Sequence, residues 1–350
     1  MVYKNMRLGD DTIDIKSENG IIIQIGKIDE HGVDLEGRRV YPGLVDIHTH
    51  GIVGIDTMDA EFDEMARAWA QNGTTTVYPT TMTAPRDKLM RVLEARIPKE
   101  GAKIRGIHLE GPYINPKYGG AQNKEDVREP DIDEFKNCPR AKLITLAPEL
   151  EGSWEYIKNT DMTVCIGHTG ADYDCVCRAA EAGARCVTHI FNAMPPLHHR
   201  RPSVVGAAFD KDMYVQVICD GKHIHPSVIR MLYKLFGAER MILISDSMRA
   251  TGLCDGDYEF GGLHVAVKDS VARTDDGSLA GSTSTLFECV QYAVKFGIPE
   301  ADAYRMASQT PAELMGIKAG KICEGYDCDL IVLNEDDTIH KVIINGRIYE

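Results

Sequence analysis

Eight short runs rich in Val, Ile and Thr recur between residues 44 and 247, and they constrain the fold more than any other feature. The runs are LVDIHTH (44–50), TTTVYPTT (74–81), IRGIHLEG (104–111), KLITLAPE (142–149), MTVCIGHT (162–169), RCVTHIFN (185–192), VQVICDG (215–221) and MILISDS (241–247). Nearly continuous apolar runs are typical of parallel strands covered on both faces. Segments with helical spacing follow most of them, as at 60–73, 171–184 and 225–239. This alternation predicts an α/β fold with an eight-stranded parallel β/α (TIM-type) barrel.

Residues 1–43 and 317–350 show a different pattern. NGIIIQIGKID, DLIVLNED and HKVIINGRIYE have the composition of short strands separated by turn residues. Neither end could form a stable sheet alone, so we expect both termini to build one small β-sandwich domain, with the catalytic barrel spanning 44–316. A further hairpin is expected within 258–281, followed by helical segments near 283–296 and 299–315 that close the barrel.

Charge and cysteine usage restrict the class of partner and the compartment. The formal net charge of −14 argues against a nucleic acid or an anionic membrane, since both favour a basic surface. The N-terminal sequence has no signal-peptide pattern and no apolar run reaches the length of a membrane span, so we expect a cytoplasmic protein. Ten scattered cysteines without zinc-site spacing indicate reduced, mostly buried thiols.

Side chains able to bind a metal or transfer a proton end five of the runs. These residues are His48, His50, Glu110, His168, His189 and Asp246. In a β/α barrel the carboxyl ends of the strands form the active site. Polar residues also begin at ordinary strand ends, and paired core histidines exist, but neither explanation accounts well for four histidines and two acids at corresponding places.

Imidazole and carboxylate ligands suit a divalent ion, and six of them are enough for two ions if Glu110 bridges. We expect one or two ions per subunit, zinc or iron, with manganese, cobalt and nickel as alternatives. Such an ion lowers the pKa of a bound water to about 7 and polarises a carbonyl, which favours hydrolysis. Asp246 is then the candidate acid/base for a leaving nitrogen, the alternative being a ligand without a proton-transfer role.

Several segments resemble the amidohydrolase superfamily. They are DIHTHG (46–51), HLEGPYINPKYGGAQ (108–122), GHT (167–169), THIFNAMPPLHHR (188–200), DGKH (220–223), SDSMRATGL (245–253) and GSLAGS (277–282). Within the superfamily they are similar to the deacetylases that act on 2-acetamido-2-deoxyhexose 6-phosphates. The resemblance covers nearly the whole chain, and HLEGP followed by HxFNAM is its specific part. It implies hydrolysis of an N-acetyl group in amino-sugar catabolism, with an amino-sugar phosphate as the small-molecule substrate.

The resemblance also implies roles for individual residues. One ion would be held by His48, His50 and Asp246, a second by His168 and His189, and both by Glu110. Asn192 and Ala193 would meet the sugar phosphate, His223 the sugar and its acyl group, and Arg200 the phosphate from across a homodimer interface. The remaining candidates for substrate binding are Ala121, Gln122, Asp220, Leu279, Ala280 and Gly281.

Two positions depart from the family pattern. Gln122 stands where many members carry a histidine against the substrate, and Arg201 occupies a place often held by an acid. Glutamine can hydrogen-bond but cannot become cationic, so the gluco and galacto epimers both stay open as substrates. Another amide hydrolase of the superfamily is a further alternative. The non-enzymatic alternative is a barrel that has lost catalysis and serves as an assembly protein. Loss of a metal ligand or of Asp246 would favour this alternative. Neither loss occurs in this sequence.

Overall fold

Strands at the N-terminus form the first sheet of a computed structural model that describes residues 1–349. They are β1 (Val2–Leu8), β2 (Asp11–Glu18), β3 (Ile21–Gly26) and β4 (Val33–Asp34), and the sheet has the order β3-β2-β1-β4. The next strand, β5 (Val40–Pro42), belongs to a different sheet.

The barrel begins immediately after β5. Its region contains β6 (Leu44–Thr49), the small hairpin β7 (Gly51–Ile52) and β8 (Ile55–Asp56), then β9 (Thr74–Thr81), β10 (Lys103–Ile104), β11 (Ile107–Glu110), β12 (Ala141–Leu146), β13 (Thr163–Ile166), β14 (Cys186–Val187), β15 (Tyr214–Ile218) and β16 (Met241–Ile244). Within residues 1–349, eight strands pair in parallel around the barrel in the order β6-β9-β11-β12-β13-β14-β15-β16, and the two-residue β10 pairs in parallel with β9 as a ninth strand of the sheet. The amide of Asp246, just beyond the last strand, donates to the carbonyl of His48 in the first strand at 2.9 Å. The predicted barrel is confirmed and is nearly closed.

Helices cover the outside of the barrel. They are α1 (Asp63–Gln71), α2 (Arg86–Glu94), α3 (Ser153–Asn159), α4 (Tyr173–Ala182), α5 (Ser203–Asp210), α6 (Pro226–Arg240), α7 (Leu286–Lys295), α8 (Glu300–Met306) and α9 (Gln309–Leu314). The helical segment predicted at 299–315 is two helices, because Ser308 has non-helical dihedral angles. After β11 the loop 111–140 holds two 3-10 helices, Pro116–Tyr118 and Lys124–Asp126, in place of an α-helix. Among residues 1–349, no helix has both the length and the apolar character needed to cross a membrane.

A three-stranded antiparallel sheet follows β16. Its strands are β17 (Gly256–Phe260), β18 (Leu263–Lys268) and β19 (Val271–Thr274). The predicted hairpin therefore has a third strand. The buried side chains of Phe260 and Val265 pack with Met82 and Met248, which come after β9 and β16. This contact holds the sheet beside the carboxyl ends of the barrel strands.

The C-terminal strands complete the small domain. They are β20 (Leu330–Leu333), β21 (Ile339–Ile344) and β22 (Arg347–Tyr349), and their sheet has the order β22-β21-β20-β5. Side chains of both sheets share one core, in which Tyr3 and Ile15 pack with Val332 and Ile343. The expected sandwich of both termini is confirmed. The domain boundaries at 43/44 and 316/317 stay a prediction.

Apolar side chains fill the lower part of the barrel. Val45, Leu143 and Ile242 are fully buried there, and Ala312 and Leu314 close the lower end. Because this half is a packed core, a ligand can enter the barrel only at the carboxyl ends of its strands.

Candidate metal centre and active site

A bulge in β6 turns His48, within the strand, and His50, just after it, into the barrel. Asp46 pairs with Val77 of β9, whereas Thr49 pairs with Pro79, so β6 has one extra residue in this interval. A bulge of one residue reverses the alternation of side chains between the two faces of a strand. His48 and His50 therefore continue on the inward side that Val45 occupies before the bulge.

Three further candidate ligands have a backbone conformation that is uncommon for residues other than glycine. His168 (φ 47°), His189 (φ 23°) and Asp246 (φ 47°) have positive φ, and each is the second residue after its strand. The left-handed region costs a non-glycine residue about 1–2 kcal/mol. Such strain is stable only where the surrounding structure imposes it, and it concentrates at functional sites. The backbone at these three residues is therefore locally strained, and this strain orients the side chains towards the site.

We expect this strain to be measurable at His168. In the presence of a chelator, His168→Gly should have a free energy of unfolding higher than that of His168→Ala by about 1 kcal/mol, because both lose the imidazole but only glycine adopts positive φ without strain. Urea unfolding provides the measurement. At His50, which does not have positive φ, the order of the two variants should be reversed. The same order at both positions would contradict strain at His168.

The atoms that could bind a metal lie at ligand-to-ligand distances. Oε1 of Glu110 is 3.2 Å from Nε2 of His168 and 3.0 Å from Nε2 of His189. Oδ1 of Asp246 is 3.3 Å from Nε2 of His50. A tetrahedral ion with bonds of about 2.0–2.1 Å separates its ligand atoms by about 3.3 Å. The spacing therefore fits a metal ion.

The six side chains form two groups, and one carboxylate touches both. The groups are His48, His50 and Asp246, and Glu110, His168 and His189, all of them buried. Glu110 also reaches the first group, since its Oε1 is 3.3 Å from Nε2 of His48 and its Oε2 is 3.3 Å from Nε2 of His50. This is the position from which a carboxylate can bridge two ions.

Hydrogen bonds at Nδ1 leave Nε2 available as a ligand in three of the four histidines. Nδ1 faces an oxygen acceptor in His48 (Oε1 of Gln216, 3.0 Å), His50 (carbonyl of Thr80, 3.1 Å) and His168 (carbonyl of Tyr118, 2.9 Å). An oxygen acceptor requires a proton on Nδ1, which leaves the lone pair of the neutral ring on Nε2. Among residues 1–349, Nδ1 of buried His189 has no partner.

The Nε2 atoms point at one another. Those of His48 and His50 are 3.2 Å apart, and those of His168 and His189 are 3.1 Å apart. Two lone pairs at this distance repel each other unless a cation lies near both. The donor set therefore fits a divalent metal.

Electrostatics also favour a cation in the cluster. Burial opposes charge on His50, but the carboxylates of Asp246 and Glu110 outweigh it and raise the pKa of His50 to about 10. Burial likewise opposes charge on Glu110, yet its histidine neighbours, with His48 foremost, hold the pKa of that carboxyl well below its usual range. The carboxylates are thus ionised at neutral pH, and metal ions compete with protons for the histidines.

A cavity of about 350 Å³ opens above the cluster. Of the predicted substrate-binding residues, it is lined by Ala121, Gln122, Asn192, Ala193, His223, Leu279 and Gly281. Sequence reasoning missed further lining residues, among them Met82, Phe191, Ile218 and Phe260. Apolar side chains carry no signal that separates a cavity wall from a core, and of these four only Phe191 lies within a motif, HxFNAM, that could have indicated it.

Three predicted residues lie outside the cavity lining. Ala280 is fully buried in the core beside the three-stranded sheet. Asp220 lies behind His223, and its Oδ2 is 2.7 Å from Nδ1 of that ring. Arg200 is exposed, and its Nη1 is 2.7 Å from Nε2 of His199. The roles of all three stay predictions.

Gln122 contacts a candidate ligand. Its Nε2 donates to Oε2 of Glu110 at 2.5 Å, while its Oε1 accepts from the amide of Thr83 at 2.6 Å. The backbone amide fixes which end of the side chain faces the carboxylate. Gln122 therefore orients Glu110 and borders the cavity at the same time.

Known proteins resemble this chain over the part that contains the candidate site. A model of the amidohydrolase family matches residues 39–349. N-acetylglucosamine-6-phosphate deacetylase of Bacillus subtilis (strain 168) is 38% identical over 88% of this chain and 83% of its own. N-acetylgalactosamine-6-phosphate deacetylase of Escherichia coli O157:H7 is 32% identical, with 95% and 94% covered. A mutant N-acetyl-D-glucosamine-6-phosphate deacetylase from Mycobacterium smegmatis, solved in complex with N-acetyl-D-glucosamine-6-phosphate, is 30% identical, with a TM-score of 0.90 and 99% and 98% covered. The similarity extends over the barrel and the sandwich.

Proposed function

The chain belongs to the amidohydrolase family, and from this premise we propose that it hydrolyses the N-acetyl group of N-acetylglucosamine 6-phosphate to glucosamine 6-phosphate and acetate. The observation that carries the proposal is the six-ligand cluster at the floor of a cavity of about 350 Å³. A cavity of this size suits a small molecule. The similar chain from Mycobacterium smegmatis holds this sugar phosphate.

We assign one ion to His48, His50 and Asp246 and a second to His168 and His189, with Glu110 shared. Zinc or iron fits nitrogen and carboxylate ligands of this kind, and manganese, cobalt and nickel are alternatives. When bound, a divalent ion lowers the pKa of a water to about 7 and polarises a carbonyl.

Asp246 is the candidate acid/base of the reaction. It borders the cavity and is buried. Burial opposes its ionisation, but the neighbouring histidines, with His48 foremost, lower its pKa below the usual value. Asp246 is therefore a carboxylate at neutral pH, able to take a proton from the attacking water and to return it to the nitrogen that leaves as the amine.

His223 and the backbone near Gly281 would orient the substrate. Asp220 accepts from Nδ1 of His223, so Nε2 is the ring nitrogen available to the acyl group. Gly281 has a φ of 63°, and a Cβ added there would lie 3.0 Å from the carbonyl oxygen of Asp246. Glycine thus lets the loop 278–281 approach the backbone of Asp246 closely.

Acetate release tests the proposed reaction. Purified protein with a measured metal content would be given the N-acetylated gluco and galacto 6-phosphates and the unphosphorylated gluco sugar. We expect the gluco 6-phosphate to have the highest kcat/KM. A higher kcat/KM for the galacto 6-phosphate would transfer the assignment to the activity named for the Escherichia coli relative. No acetate from any of the three sugars with folded, metal-loaded protein would refute the deacetylase assignment and leave another amide hydrolase or the binding or assembly role.

Arg200 provides a prediction about the phosphate. We propose a homodimer in which Arg200 binds the phosphate of the partner's substrate, because its guanidinium is exposed and lies outside the cavity of its own chain. Arg200→Ala should then raise KM for the 6-phosphate much more than KM for the unphosphorylated sugar. Steady-state kinetics on both substrates provide the measurement, with the neighbouring Arg201→Ala as the matched control.

Mixed dimers separate the two possible positions of Arg200. A dimer of one Arg200→Ala subunit and one Asp246→Asn subunit contains one site with both residues intact only if Arg200 acts across the interface. Partial activity in mixed dimers verified by mass is expected. Absence of activity would place Arg200 in its own subunit's site, and an unchanged substrate preference in the single variant would refute the phosphate contact. The homodimer and the cytoplasmic location stay predictions.

A further inference from the structure

Gln216 is a buried amide in the interior of the barrel that the proposed reaction does not use. It lies on β15 between two outward-facing valines, Val215 and Val217, and is fully buried. An amide transferred from water to such a place is costly unless both of its ends are hydrogen-bonded. Both ends of Gln216 have partners, and one of them is a candidate metal ligand.

The two hydrogen bonds of Gln216 have opposite directions. Its Oε1 is 3.0 Å from Nδ1 of His48. Its Nε2 donates to Sγ of Cys165 on β13, at 3.6 Å. Cys165 is itself fully buried. Gln216 thus connects a buried thiol to the ring of His48.

The orientation of the Gln216 amide determines whether Nε2 of His48 can bind a metal. With Oε1 towards His48, Nδ1 carries the proton and Nε2 has the lone pair that a metal requires. If the amide were reversed, its NH₂ group would face Nδ1, which would then have to accept. The proton of the neutral ring would move to Nε2, and His48 could not bind the ion.

We propose that Gln216 is a positioning residue for the metal site, because it fixes the tautomer of His48 and keeps Nε2 available to the ion held by His48, His50 and Asp246. The inference rests on the proposed two-ion centre. His168 is oriented by the carbonyl of Tyr118 instead. An effect of Gln216 should therefore concern one ion and leave the other as an internal reference.

Two substitutions of similar length separate positioning from packing. Gln216→Met fills the space but has no oxygen acceptor, whereas Gln216→Glu keeps an acceptor and lacks the amide donor. Competition with a chromogenic chelator gives the Kd of each Zn²⁺ ion. We expect Gln216→Met to raise the Kd of one ion 10–100-fold, the usual cost of losing an outer hydrogen-bond partner, and to leave the other unchanged. Gln216→Glu should keep both Kd values within a few-fold of the wild type. Val217→Ala, on the outward side of β15, should change neither.

Nitrogen chemical shifts give a reading independent of affinity. In chelator-treated protein with ¹⁵N-labelled histidine, measured at a pH at which the His48 ring is neutral, His48 should show a protonated Nδ1 in the wild type and a mixture of tautomers in Gln216→Met. If Gln216→Met does not fold, Gln216→Asn, whose shorter side chain withdraws the acceptor, must give the same mixture. If Gln216→Glu does not fold, the nitrogen chemical shifts of His48 and the Kd values of Gln216→Met for Zn²⁺ test the proposal.

The outcomes that overturn the inference differ from those that overturn the metal centre. Equal Kd values for both ions in Gln216→Met and the wild type would mean that His48 needs no orienting acceptor. Equal weakening by folded Gln216→Met and Gln216→Glu would mean that Gln216 acts by packing alone. A wild-type protein that binds no divalent ion would refute the proposed centre itself.

Discussion

Asp246→Asn should lower kcat for N-acetylglucosamine 6-phosphate by at least about a hundredfold, the low end of general acid–base contributions. Asparagine has the same shape but cannot accept the proton of the attacking water or protonate the leaving amine. Because Asp246 is also a candidate ligand, kcat should be expressed per bound ion, with the metal content measured on the same preparation. Asp212→Asn, a change at an exposed aspartate, serves as the matched control.

The fold should survive this change, since the wild-type charge lies in a buried site where burial itself opposes ionisation. Circular dichroism and urea unfolding check this point. A folded Asn variant with near-normal turnover per ion would show that another group carries the proton and that Asp246 is a ligand alone.

Loss of a ligand from the second group should have an effect of similar size. His168→Ala and His189→Ala should each lower metal content and acetate release together, with activity reduced at least about a hundredfold. Losing only the outer partner of a ligand already costs 10–100-fold. Elemental analysis and kinetics on the same samples provide the measurement. His264→Ala, at an exposed histidine of β18, should leave both quantities unchanged.

The first group should show a graded response. A His48→Ala, His50→Ala double variant is expected to lose one ion and to retain partial activity, because the Glu110, His168 and His189 group would still be present. Full metal occupancy with normal turnover in His168→Ala or His189→Ala would refute the ligand assignment.

The strand-end ligands show how far the sequence predicts the site. Eight parallel strands place His48, Glu110 and Asp246 at the same end of a barrel, because parallel strands share one direction. Proximity follows from topology. In the structure, Nε2 of His48 is 3.3 Å from Oε1 of Glu110 and 3.4 Å from Oδ1 of Asp246. Spacing alone is enough for this inference.

The direction in which each side chain points could not be predicted from the sequence in the same way. Strict alternation from Val45 would turn His48 outward, and only the bulge in β6 reverses it. The left-handed backbone of His168 and Asp246 likewise depends on contacts across the barrel. Gln216 was missed because one glutamine in an apolar run gives no hint of the side chain it faces. Such features depend on register, which a single sequence does not determine.

The pairing of β5 with β20 has a consequence for the making of the protein. Tyr41 lies opposite Ile331 in this pairing, so a segment that precedes the barrel obtains its neighbour only after the barrel has been translated. While the ribosome is still translating, barrel strands can emerge and associate in order, but the apolar side of β1, β2 and β5 lacks its cover. A nascent chain halted before residue 330 therefore presents Tyr3, Ile15 and Val40, which are buried in the finished protein, to chaperones and proteases. Strands translated after the barrel thus decide whether those translated before it are protected.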